Sequence, residues 1–74
     1  MSHVYRVIEV VGSSTTGVDD AIAKAVARAA ETTRHLEWFE TVNIRGHIDD
    51  GRVAHTQVTL KIGFRIESSA ETDI

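Results

Sequence analysis

The chain has no cysteine and no proline, and it holds a single tryptophan. Without cysteine there is no disulfide framework and no thiolate to complete a zinc set. Its absence fits an intracellular home, although many other settings would fit too. No run of residues approaches the roughly 20 apolar positions of a membrane span, and the N-terminal MSHVYRVIEVVG lacks a charged region followed by an unbroken apolar one. The expectation is a soluble cytoplasmic protein with no membrane partner. Positive charge is also scarce: eight Lys plus Arg stand against eleven Asp plus Glu, a formal charge of -3. That argues against a general nucleic-acid binder built on neutralising many phosphates, while leaving room for a local basic patch.

What is present is a 74-residue chain that is 42% hydrophobic, the profile of one small globular domain over residues 1–74. The tail from about residue 68, SSAETDI, has no periodicity and is expected to fray. A domain this small, without disulfide or structural metal, gains stability most readily by assembling with copies of itself.

Residues 3–11, HVYRVIEVV, are rich in β-branched residues and read as a first strand. SSTTG follows as a turn, with Thr16 at the expected N-cap, Asp19 in the first turn and a helix starting near Gly17. From Val18 to about Thr33, Val18, Ile22, Ala25, Val26, Ala29 and Thr33 recur at spacings of three and four. Asp20, Lys24, Arg28 and Glu31 are left for solvent, with Asp20 and Lys24 placed for an i, i+4 pair.

Residues 36–48 and 53–66 read as two strands joined by Asp50-Gly51, a dipeptide suited to a tight hairpin turn. A regular hairpin about that turn pairs Asp49 with Arg52, Ile44 with Gln57, Val42 with Thr59, Glu40 with Lys61 and Trp38 with Gly63. One face then carries Phe39, Val58, Leu60, Ile62, Phe64 and Ile66 toward the helix. The other carries Trp38, Glu40, Val42, Ile44, His55, Gln57, Thr59, Lys61 and Arg65, too polar for a core and too apolar for a plain solvent face.

His3, His35, His47 and His55 show no short ligand spacing, and parity puts His47 and His55 on opposite faces, so no metal site is expected. SSTTG matches neither a P-loop nor a dinucleotide fingerprint, and Glu37 and Glu40 fall on opposite faces, a poor carboxylate pair. No catalytic residue is assigned. Trp38 stands out. It suits an oligomer-interface anchor, and it equally suits a platform for a planar ligand, with Gly63 opposite leaving the indole face open and Gln57 offering an amide that donates and accepts.

The plan SSTTGVDDAIAKAVARAAETTR followed by HLEWFETVNIRGHIDDGRVAHTQVTLKIGFRIE resembles the bacterial type of the dodecin family, small flavin-binding proteins. AAETTRHLEWFET and AHTQVTLKIGF carry the resemblance most specifically. It implies an α+β fold, β-α-β-β, with a three-stranded antiparallel sheet around one amphipathic helix, assembled into a hollow homododecamer. It implies flavins, FMN foremost and riboflavin next, stacked in pairs between tryptophans of neighbouring subunits. Trp38 matches the stacking tryptophan, Gln57 the glutamine that bonds the ring's polar edge, and Arg45 an arginine near the flavin. Some bacterial members also hold coenzyme A through basic residues; Arg6, Arg28, Arg34 and Arg65 occupy suitable positions, plain surface charge being the alternative. The implied role is flavin storage and sequestration without turnover, since no hydride donor site or general base is evident. A structural module without ligand and a flavin-dependent oxidoreductase stay open beside it.

Two features sit awkwardly with a single-chain site. Gln57 lies about 20 Å along the strand from Trp38, at roughly 3.3 Å per residue. By parity Arg45 points away from Trp38 altogether. A bulge, or a second chain, would have to supply what one regular hairpin does not.

Overall fold

The computed structural model describes residues 3–66 as β1 (Tyr5–Ser14), α1 (Val18–Ala30), β2 (Leu36–Asp49) and β3 (Arg52–Arg65). The expected frayed tail lies outside the described residues. The three strands form one antiparallel sheet in the order β1-β3-β2, as the β-α-β-β reading expected. β1 runs three residues further than anticipated, through Gly12, Ser13 and Ser14. Its alternation carries Ile8, Val10, Gly12 and Ser14 toward the helix, and Gly12 marks where helix and strand come closest. A Cβ there would overlap the Ala21 carbonyl oxygen and stand 2.9 Å from the Ala25 Cβ.

The core is correspondingly small. Ala21, Ala25 and Ala29 pack on Val58, Leu60 and Ile62, with Ile8, Val10, Val18, Ile22, Val26 and Leu36 around them. Ala21, fully buried beneath Gly12, belongs to the stripe and extends the one read from spacing. α1 ends at Ala30, but the amides of Glu31, Thr32 and Thr33 still bond the carbonyls of Arg28 and Ala29 in a tightened last turn.

The N-terminal cap differs from expectation. Gly17 occupies the cap position and makes no side-chain cap bond. Ser14 does the organising: its buried hydroxyl accepts from the amides of Thr16 (2.9 Å) and Gly17 (3.3 Å) and donates to Asp20 Oδ2 at 2.6 Å. Thr16 donates to the same carboxylate oxygen, and Lys24 pairs with it at 3.0 Å.

Asp50 and Gly51 both adopt positive φ, 53° and 75°, as a two-residue hairpin turn requires. Beyond the turn the hairpin is irregular. Ala54 on β3 and Val42 and Glu37 on β2 are extra residues without a cross-strand partner, at the three register shifts. The first two offset one another. Asp49↔Arg52, Glu40↔Lys61 and Trp38↔Gly63 therefore pair as a regular hairpin would have them, while the middle slips by one: Ile44 faces Val58 instead of Gln57, and Thr59 faces Asn43 instead of Val42. Ile44 thus moves to the helix side. α1 covers β1 and β3, and β2 extends past it, leaving Phe39 half-exposed instead of packed on the helix.

Candidate functional site

On β3 the odd-numbered residues Gln57, Thr59, Lys61 and Gly63 turn away from the helix, because Val58, Leu60 and Ile62 fill the core. Their β2 partners share that face. The outer surface of the hairpin therefore reads, in pairs, Trp38 with Gly63, Glu40 with Lys61, Asn43 with Thr59, Arg45 with Gln57 and His47 with His55.

Trp38 is on this face as expected, but Gly63 does something other than leave a gap. A Cβ at position 63 would overlap the indole Cε2 and Cζ2 and stand 2.7 Å from Nε1. The indole lies down against the strand over the glycine, which makes Gly63 buried while Trp38 stays 42% exposed. One side of the ring is taken by the chain itself, and the other is presented outward. On the helix side of the same strand segment, Val26, Leu36, Glu37, Trp38, Phe39 and Ile62 line a cleft of about 130 Å³.

Arg45 corrects the parity argument. The extra residue at Val42 reverses the alternation, so Arg45 shares the face of Trp38 and sits directly across from Gln57. Its Nε donates to Gln57 Oε1 at 3.3 Å, which turns the amide NH₂ away from the guanidinium. His47 and His55 are corrected in the same way. Ala54 brings them opposite each other on one face, ring centroids 5.5 Å apart and planes within 17° of parallel.

The bulges do not bring the two ends together. Gln57 remains six strand positions from Gly63, a rise of about 20 Å. Within one chain a ring stacked on Trp38 is out of reach of the Arg45–Gln57 pair.

The other arginines divide. Arg6, Arg34 and Arg65 border one open hollow of about 570 Å³ with Thr32, Thr33 and His35. Arg28 lies elsewhere, along the β1 side of the helix with Lys24, and its Nε is 3.8 Å from Glu31. Arg65 also approaches Glu37 at 3.9 Å, and Glu37 accepts the Tyr5 hydroxyl at 3.1 Å. That hydrogen bond to a carboxylate holds the Tyr5 phenol above its ordinary pKa. Sequence reading missed this Tyr5–Glu37–Arg65 group because Glu37 belongs to a bulge. Residue type gives no signal for that bulge; Gly46, a glycine inside the strand pattern, marks instead a close approach of the strands, where a Cβ would stand 2.9 Å from the His55 carbonyl oxygen.

Among the described residues no group of three or more His, Cys, Asp or Glu is placed to hold a metal ion, and no helix is long and apolar enough to cross a membrane.

Comparison with known proteins identifies the pattern. Residues 4–67 match the family model described as Dodecin. The chain is 48% identical to the dodecin of Thermus thermophilus over 69 residues, 93% of this chain and 100% of that one. Its structure is similar to that of dodecin from Streptomyces coelicolor, with a TM-score of 0.86 at 60% identity over 90% of this chain and 96% of the other. A more distant likeness, TM-score 0.75 at 27% identity over 89% of this chain and 94% of the other, is to the calcium dodecin of Mycobacterium tuberculosis, described as having a novel calcium-binding site.

Proposed function

The chain belongs to the dodecin family, and we propose that it binds flavin, FMN foremost, in order to store and sequester it. The observation that carries this reading is the indole of Trp38, laid flat over Gly63 with its far side exposed. An aromatic ring offered face-on is a stacking platform for a planar ligand, worth about 1–3 kcal/mol per stacked ring. The Arg45–Gln57 pair offers the complementary chemistry: an oriented amide donor beside a guanidinium, suited to the carbonyl and imide edge of an isoalloxazine.

Because about 20 Å of strand separates the two, the site takes Trp38 from one subunit and Gln57 with Arg45 from another. The bare outer strand favours such an assembly, which we take to be the family's homododecamer, with two flavins between symmetry-related tryptophans. Electron transfer from indole to the excited flavin would quench it, so storage and photoprotection follow from one geometry. The proposed role is binding without turnover. The hollow bordered by Arg6, Arg34 and Arg65 is proposed for the phosphates of coenzyme A; Arg28, facing elsewhere, is left out of that set.

A titration of FMN fluorescence with the purified protein, with particle mass from light scattering on the same sample, tests the reading. Saturable quenching by a particle many times the 8.1 kDa chain supports it. Flavin that stays bright at micromolar protein rejects it.

A further inference from the structure

We propose that His47 and His55 form a two-histidine site for a divalent transition-metal ion, with Zn²⁺ as the reference ion, on the outer face of the hairpin. The residues are eight apart in sequence and carry no ligand motif; the extra residue Ala54 is what sets them directly across from one another. Gly46 beside His47 lets the strands approach closely there, since its missing Cβ would press on the His55 carbonyl oxygen.

The ring centroids are 5.5 Å apart. Two imidazoles bound to one tetrahedral ion at Zn–N distances of about 2.0–2.1 Å have centroids roughly 5 Å apart, so the spacing is already that of a chelate. The near-parallel stacking is not, because nitrogen lone pairs must converge. Rotation about χ2, a soft torsion for histidine, turns each nitrogen toward the other while leaving its centroid nearly in place. The backbone need not move, and both histidines keep some solvent exposure, which gives an ion its entry path.

Chemistry selects the ion class. Neutral imidazole suits Zn²⁺, Ni²⁺ and Cu²⁺, whereas Ca²⁺ demands a shell of oxygens. Among the described residues no carboxylate or further histidine joins the pair, so water completes the coordination and the ion exchanges readily. The next pair along the face is Arg45 with Gln57, whose guanidinium opposes a second cation through solvent. The site is independent of the flavin reading, since neither histidine is needed to stack or orient a ring.

Zn²⁺ titrated into the full-length apo-protein by calorimetry at neutral pH tests the proposal. Saturable binding is expected, weakened by more than about tenfold in either His47→Ala or His55→Ala because chelation needs both rings. His3→Ala should bind as the wild type does. In the wild type, long-range ¹H–¹⁵N spectra should show imidazole nitrogen shifts at His47 and His55, a readout that needs no variant to fold. No heat of binding, wild-type affinity in either single variant, loss of binding in His3→Ala, or shifts confined to other histidines each overturns the site.

Discussion

At position 63 the missing side chain allows the indole of Trp38 to lie against the strand, because any Cβ there would overlap the ring. Gly63→Ala should therefore lift the indole off its bed and weaken FMN quenching by about tenfold or more, with the sheet retained by circular dichroism. Trp38→Ala should abolish quenching while particle mass is kept; disassembly with unchanged affinity in the remaining particles would make Trp38 a packing residue instead. At the start of the helix, Asp20 is held below the ordinary carboxylate range, first by the Ser14 hydroxyl, then by Lys24 and Thr16. A depressed folded-state pKa stabilises the fold above the unfolded carboxylate's range and is lost as pH falls through the folded value. Asp20→Asn should accordingly flatten the acid side of a plot of urea midpoint against pH, leaving the neutral-to-alkaline side unchanged in slope. Ser14→Ala removes the acceptor of two amides as well, and its expected cost is about 1–3 kcal/mol in the same unfolding series.

Among the elements, the hairpin shows where sequence reading succeeds and where it stops. Asp50-Gly51 announced its turn, and spacing announced the helix, because φ above zero and a 3.6-residue period each leave a mark in residue type. The extra residues Val42 and Ala54 leave none: an alanine or valine looks the same in a bulge as in a regular strand. Trp38 opposite Gly63 was consequently legible, since the two shifts cancel before reaching it. Arg45 opposite Gln57 and His47 opposite His55 were not, since both lie between the shifts. The Thr16 cap failed for a different reason: the buried Ser14 hydroxyl ties down the Thr16 and Gly17 amides ahead of the helix, which then begins one residue later with Gly17 at the cap. The helix itself is seated on Gly12. Gly12→Val should push α1 from the sheet and lower stability by about 1–3 kcal/mol in chemical unfolding, because a side chain there meets helix backbone instead of a flexible neighbour.

As a whole the chain is 58 × 20 × 13 Å, a long ribbon with a helix on part of one side. Its core is three alanines and three aliphatic strand residues, while Phe39, Ile44, Ile48 and Val53 are 49–71% exposed. So small a core beside so much bare apolar strand is the expected physics of a subunit, as length alone suggested. Which apolar residues are bare was legible only in part, because Ile44 changes sides with the slip in register. Ile44→Glu should shift particle mass toward single chains and lower the unfolding midpoint, read by light scattering at several protein concentrations.

The proposed sharing of one flavin between chains rests on the strand distance between Trp38 and Gln57, and co-assembly tests it directly. Trp38→Ala and Gln57→Ala chains, unfolded together and refolded as mixed particles, should regain part of the FMN quenching that neither variant shows alone, because some sites combine an intact tryptophan from one chain with an intact glutamine from the other. Mixed particles no better than the average of the two parents would place both residues of each site on the same chain and contradict the account.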